Sequence, residues 1–542
     1  MKALARSTLL AGAVAAALAT PASAVTLSPD GTGQVLLFPY YTTRAGFTTS
    51  IAIVNQDMHH TKVVKVRWRE GKIGAPVLDL NVFLPPRDVW TAVVSDDGNA
   101  ARLGTSDRSC TNPAVPSAGL PFVNSFYTGQ APGAFDDGGG AGLDRTREGY
   151  VEVIEMGIVA NGADFVSFPA TPQGNTVAAA VRPGIAGTPS NCAAIRVANL
   201  FSAQGDLRAP AGGLSGQAII VNLASGTEFA TEPTALQHFF RPPDPKADLY
   251  SEPGSVLPDL ASVVPARSDV VPTEKSEWSE ASPAIATVHD WVAAGGQPID
   301  AVSAVLMKNH IDGEYDVSIG IRSEMIVTMP TKRHYVLVGP ADALPAGYVA
   351  APFRESWLPL TRPSSCDKLY PSTLDRAGAP YATVTGVQFL QPTGAPAGLT
   401  TICGVSTAIV VVPNNGTVTN SHIFASATNS PLVLPANGSA GAAPQYSAGW
   451  ISLGPTDEGF PAVGFTGQRL TGGVNAVTGI PVAITTLSNQ QGLRNLRPVH
   501  SDGVARRYRG LPMIGFMAIN GVFQGLGYGG IFPLRSRTIV EP

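Results

Sequence analysis

Thr61-Lys62-Val63-Val64-Lys65-Val66-Arg67-Trp68-Arg69, residues 61–69, carries the alternation of a β-strand. Side chains in a strand repeat every two residues, so Val64, Val66 and Trp68 point one way and Lys65, Arg67 and Arg69 the other. The pattern predicts an apolar face on a core and a charged face in water. Neighbouring stretches repeat it. Leu78, Leu80, Val82 and Leu84 share one face of residues 77–84, with Asp79 and Asn81 opposite, and Ile51 and Ile53 mark residues 48–55. With 35–41 and 88–95 these make five strands between Gly33 and Asp96. Arg44-Ala45-Gly46, Glu70-Gly71-Lys72 and Pro85-Pro86 punctuate them as turn and breaker signals. Short strands joined by tight turns predict a mainly β fold, with antiparallel β-sandwich (Ig-like) domains and a few short helices.

Working outward, residues 1–24 read as a secretory signal peptide. Lys2 and Arg6 begin it, residues 9–18 are apolar, and Pro21-Ala22-Ser23-Ala24 offers an A-x-A-like cleavage site. No later stretch supplies the roughly 20 uninterrupted apolar residues of a membrane helix, so no transmembrane segment is expected. The chain is expected to be exported: extracellular, at the cell surface or in the periplasm. Charged residues make up 14% of the 542, well under the ~25% of ordinary soluble domains, as suits a turn-rich extracellular β-protein. Losing Lys2 and Arg6 takes the net charge from −4 to −6. With no basic run, nucleic acid and anionic membrane are poor partners. Cys110, Cys192, Cys366 and Cys403 are an even set, which in an exported protein implies two disulfides. Of three pairings, Cys110–Cys192 with Cys366–Cys403 is preferred because each keeps to its own region. Zinc is disfavoured, since no Cys lies two to four residues from another Cys or a His.

Further along, the expected domains are residues 25–185, an N-terminal sandwich with a long Gly/Pro-rich loop; 186–345, a second β-rich unit with one or two helices; and 346–542, a C-terminal β-rich region. Residues 148–158 are apolar on both faces and predict a central strand. Strands are also expected at 194–200, 217–223, 314–327, 333–338, 384–391, 401–412, 447–453, 480–487 and 511–518. Ser282-Pro283 predicts a helix start and residues 283–294 a helix, with another at 299–308. No period of 20–50 residues repeats, which argues against a solenoid or propeller.

The loop from Asn99 to Thr146 is the natural place for a site. Asp136, Asp137 and Asp144 are oxygen ligands of the kind calcium takes, although their spacing matches no known calcium loop. His59 and His60 are a weak candidate metal pair, since adjacent strand residues face apart and only a turn brings both rings together. Glu152 and Glu155 are the carboxylate pair a glycosidase needs, but three residues apart on a strand they face opposite ways. Pairing with Arg67, Arg69 or Arg147 is the better reading. His289-Asp290, on the expected helix, reads as a core or capping pair. G-x-S-x-G, H-E-x-x-H and G-x-x-x-x-G-K-[ST] do not occur in the sequence. Tyr40, Tyr41, Trp90, Trp357 and Trp450 would stack on sugars or a partner protein if exposed, but core packing accounts for most aromatics, Trp68 included.

Several segments occur together: Leu37-Phe38-Pro39-Tyr40-Tyr41, Val64-Lys65-Val66-Arg67 with Glu70-Gly71-Lys72, Asp88-Val89-Trp90, residues 148–157 (EGYVEVIEMG), Pro330-Thr331-Lys332-Arg333, and Tyr528-Gly529-Gly530. Together they resemble a group of exported β-rich proteins of Gram-negative bacteria that has no assigned activity. The resemblance implies one architecture across the mature chain and an envelope or extracellular location. It supplies no catalytic, binding or cofactor residue. The expectation is a non-enzymatic structural or binding protein, adhesive or self-assembling, whose partner is a protein or glycan surface or a second copy. The alternative is an extracellular hydrolase of polysaccharide or ester, with its site in the 99–146 loop.

Overall fold

All five strands expected between Gly33 and Asp96 form, as Val35–Thr42, Thr48–Asn55, Lys62–Glu70, Pro76–Leu84 and Val89–Asp96. The computed structural model describes residues 24–162, 169–273, 287–293, 296–339, 352–375, 400–412, 420–433, 447–454, 465–474, 481–489, 493–494, 507–508, 510–523, 526–538 and 540–541. Alternation deals the five strands into two sheets. One runs, in spatial order, Thr26–Leu27, Thr234–Gln237, Val35–Thr42, Glu148–Val159, Lys62–Glu70, Pro76–Leu84 and Thr111–Asn112. The other runs Thr227–Thr231, Leu214–Asn222, Thr48–Asn55, Val89–Asp96, Ala101–Gly104 and Leu120–Pro121. Val66 and Trp68 from the first and Ile53 and Trp90 from the second meet in one buried core, and the two indoles pack edge-on at 6.4 Å. Glu148–Val159, buried along its whole length, is the central strand its two-faced apolarity predicts.

The later strands build two more sheets. Thr400–Cys403, Cys366–Asp375, Ala448–Gly454, His310–Asp316 and Arg535–Arg537 form one. Asn429–Val433, Ser406–Val412, Ile321–Thr328, Ile514–Phe523 and Leu526–Pro533 form the other, antiparallel except for its first pair. The chain is mainly β, and its layered sheets fit the expected sandwich. Both preferred disulfides form: Cys110–Cys192 and Cys366–Cys403.

A second apolar cluster joins the two halves. Phe424 sits between Phe229 (5.1 Å), Tyr40 (5.5 Å), Phe47 (5.6 Å) and Phe516 (6.2 Å), measured between ring centroids. Polar contacts cross the same seam. Thr328 donates its hydroxyl to the Pro39 carbonyl (2.6 Å), and the Val405 and Ser406 N–H groups donate to the Gly71 carbonyl. The Pro298–Leu306 helix, expected at 299–308, is buried from Ile299 to Leu306 and belongs to the main core.

Five sequence expectations need correction. Lys65, Arg67 and Arg69 do not face water; they are buried, Lys65 and Arg67 under an irregular segment around Ser251–Pro258 and Arg69 against Glu152 and the Gly74 carbonyl. Residues 194–200 hold no strand but follow a short 3-10 turn at Cys192–Ile195, pinned by the disulfide to Cys110. In place of a helix at 283–294, Thr287–Asp290 is a strand paired with Arg267–Val270. Tertiary packing overrides the helical spacing there, since His289 is buried against Trp291 and Tyr508. Residues 333–338 contain a helical turn, Arg333–Val336, because Lys332, Tyr335 and Val336 bury at helical spacing. Residues 314–327 divide between two strands, His310–Asp316 and Ile321–Thr328. The expected strand at 384–391 and the Ser282-Pro283 helix start lie outside the described residues.

Candidate functional site

The Glu148–Val159 strand brings chemistry-bearing side chains against the Lys62–Glu70 strand, with Tyr150 opposite Arg69 and Glu152 opposite Arg67. The strands touch closely at Gly149, where an added Cβ would lie 1.9 Å from the Arg69 carbonyl oxygen. Arg69 Nε lies 2.6 Å from Glu152 Oε2, and Arg67 reaches the same carboxylate at 4.0 Å. Tyr150 shares its hydroxyl proton between Glu152 (3.1 Å) and the Pro330 carbonyl (3.2 Å). Arg67 spends its other donors on the Pro258 and Ser255 carbonyls, at 2.8 and 2.7 Å. Lys65 donates to Asp79 (3.2 Å) and the Glu252 carbonyl (2.9 Å). Burial pushes the Lys65 ammonium down to about 8. Burial, then the neighbouring Arg69, takes the half-buried Arg333 guanidinium down to about 10. The Glu152–arginine pairing is the one the sequence favoured. Glu155 makes a separate pair with buried Lys62 at 2.8 Å and accepts the Ala211 and Gly212 N–H groups.

At one end of the Lys62–Glu70 strand the network opens into a cleft of about 260 Å³ lined by Arg44, Glu70, Lys72, Arg145, Glu148 and the 139–144 loop. Glu70 accepts the N–H groups of Lys72, Ile73 and Ala75 at 2.8–3.0 Å and pairs with Arg145 at 3.2 Å. Burial alone would raise its carboxyl; Arg145 and the N–H donors outweigh that and hold it below 4.5. Arg145 also clamps Asp137 (2.8 Å) and lies over the Tyr127 ring at 4.0 Å. Glu148 accepts from Tyr40 (2.8 Å) and from the Ala427 N–H (2.8 Å), and Arg44 lies 3.1 Å away. Each acid lining the cleft thus already has a cation or backbone donors.

The three aspartates considered for calcium do not converge. Asp137 is held by Arg145, Asp144 by Arg44 (2.6 Å) and Arg147 (3.4 Å), and exposed Asp136 accepts the Gly138 N–H. His60 Nδ1 lies 2.5 Å from Asp57, while exposed His59 keeps its ring 6.3 Å away. Among the described residues no group of three or more His, Cys, Asp or Glu side chains is placed to hold a metal ion, and no helix is long and apolar enough to cross a membrane. Tyr40, Tyr41, Trp90 and Trp357 are buried, so none is a stacking platform. Trp450 is half-buried beneath Arg535, whose guanidinium lies 5.5 Å from the ring centroid.

Among the described residues, the six-stranded sheet also has an open outer face. Ala230, Ile219, Ser50, Val93 and Gly104 line up in register across five strands. Gln217, Ala52 and Thr91 make a second row, and Ser215, Val54 and Val89 a third. Val89 and Val93 are 42% and 41% exposed, and no charged side chain stands in the three rows. Comparison of the chain with protein-family models, with curated proteins and with solved structures returns no match.

Proposed function

We propose that this is a non-enzymatic structural or binding protein, exported to the bacterial envelope or the extracellular space, that works through three uncharged rows on the outer face of its six-stranded sheet, bordered by Glu228 and Arg102. One observation carries the reading: three rows made up, apart from Gln217, of small and β-branched side chains, free of charge and at least partly exposed, on strands backed by a shared core. A surface of that kind suits contact with a protein or glycan surface, or with a second copy, better than it suits chemistry. Two disulfides, the expected signal peptide and a buried Val25 immediately after its cleavage site support export. Sedimentation velocity on the mature chain, with binding to cells and glycan arrays, tests this. Replacing Val93 and Ile219 with lysine should abolish the association or binding seen for the natural chain. A natural chain that stays monomeric and binds neither cells nor glycans would remove the basis for the proposal.

The hydrolase reading has one observation in its favour, the cleft walled by residues 139–144 and by Glu70 and Glu148. Turnover of a polysaccharide or ester that is lost in Glu148→Gln would establish it.

A further inference from the structure

Lys332 and Asp367 are both completely buried, with Nζ 2.8 Å from Oδ2. We propose that these two side chains condense into an amide, a covalent cross-link between Nζ and the aspartate carboxyl carbon that forms once the chain has folded. The proposal stands apart from the binding face and does not depend on it.

The geometry differs from that of an ordinary buried ion pair. Lys62 and Glu155 are also 2.8 Å apart, and there the ammonium makes a proper hydrogen bond while backbone N–H groups satisfy the carboxylate. Asp367 Oδ2 makes no hydrogen bond although Nζ is equally near, so the amine and this oxygen are in contact outside hydrogen-bonding angles. Three neighbours prepare the reaction. The Ser365 carbonyl accepts from Nζ at 2.9 Å and fixes the amine in place. The Arg354 N–H donates to Oδ1 at 2.9 Å, where negative charge would develop during attack. The Phe353 ring lies 5.5 Å from Nζ and helps to keep water out.

The step balances within the pair. One proton passes from the ammonium to Oδ2, leaving an amine and an acid. The nitrogen lone pair then attacks the carboxyl carbon and places charge on Oδ1, facing the Arg354 N–H. The second proton passes from Nζ to Oδ2, the C–O bond breaks, and water leaves as the amide forms. Nothing is oxidised and no co-reactant enters. Amide condensation is unfavourable between separate molecules in water. Groups locked in attack geometry behave as if at an effective concentration of roughly 10⁵–10⁸ M, and a dry site does not return the water. The bond would tie the segment after the Ile321–Thr328 strand of one sheet to the Cys366–Asp375 strand of another, beside the Cys366–Cys403 disulfide.

The full-length natural chain is reduced, denatured, digested with trypsin and analysed by tandem mass spectrometry. The expected product is a branched peptide joining the Lys332 and Asp367 segments, lighter by one water than the two together, with no cleavage after Lys332. Lys332→Met should lack it. Linear peptides cleaved after Lys332, together with an unmodified Asp367 peptide, would overturn the proposal, as would a branched peptide that persists in Lys332→Met.

Discussion

Phe424 packs against Phe229 with ring centroids 5.1 Å apart, and through that contact an irregular segment of the second half is inserted into the edge of the first half's six-stranded sheet. Tyr40 and Phe47 complete the socket from one side and Phe516 from the other. That ring is the centre of one apolar cluster at the seam, beside the main core, which also takes in residues of both halves.

Phe424→Ala should cost about 3–5 kcal/mol, as expected for removing a fully enclosed ring. Calorimetry should show the natural chain melting as one cooperative unit and the variant melting in two steps, because the seam fails before either pair of sheets. A single step with an unchanged midpoint would show that the seam does not couple the halves.

Glu152→Ala leaves Arg69 buried beside Arg67 without its carboxylate, while Arg67 keeps Asp79 at 3.8 Å. Breaking one partner of such a network costs about 3–5 kcal/mol. Urea titration should report that loss, and changing Arg69 as well should cost less than the sum of the single effects.

Acid should unfold the protein partly through Glu70. Its folded carboxyl titrates below 4.5, so the unfolded chain binds the proton first as pH falls. Its contribution is complete above pH 4.5 and is lost as pH drops through the lower folded value. Glu70→Gln should melt at a lower temperature at pH 7, and its melting point should fall less steeply between pH 5 and 3.

Alkali should act in the opposite sense over a defined window. Burial holds Lys65 and Lys308 near 8, against 10.5 for an exposed lysine. Between those values the folded chain has already released protons that the unfolded chain still holds, so stability rises with pH. Below pH 8 both states are protonated and the full cost of burying the charge is felt. Lys65→Met should reduce the rise in melting temperature between pH 8 and 10.

The disulfides close sequence separations of 82 and 37 residues. By loop entropy these are worth about 4–5 and about 4 kcal/mol. Replacing Cys110 and Cys192 together by serine should lower stability slightly more than replacing the shorter pair, as thermal denaturation would show.

What the sequence revealed follows the physics of local patterns. The strands of residues 35–96 stood out because those at 48–55, 61–69 and 77–84 have a period of two and turn residues lie between the strands. The disulfides were legible because few pairings exist. The burial of Lys65 and Arg67 was hidden because their cover comes from residues 251–258, a Pro-containing stretch whose carbonyls accept from these two cations. A signal was present nonetheless: Asp79 and Glu152 on the flanking strands complement those cations in register. Residues 283–294 misled for a related reason, since the helix signal was local while His289 packs on Tyr508, far along the chain. The cleft was partly legible: residues 139–145 of its wall belong to the loop marked for a site, whereas the wall from Ala427 and Thr428, with the Ala427 N–H on Glu148, comes from far along the chain.

The insertion of Phe424 also bears on how the molecule is made. A polypeptide delivered across a membrane from its leading end would present Tyr40, Phe47 and Phe229 as a bare greasy socket until residue 424 emerged. Synthesis halted before that point would leave a sticky intermediate needing a chaperone's shelter, so the trailing half serves as the stopper for the leading one.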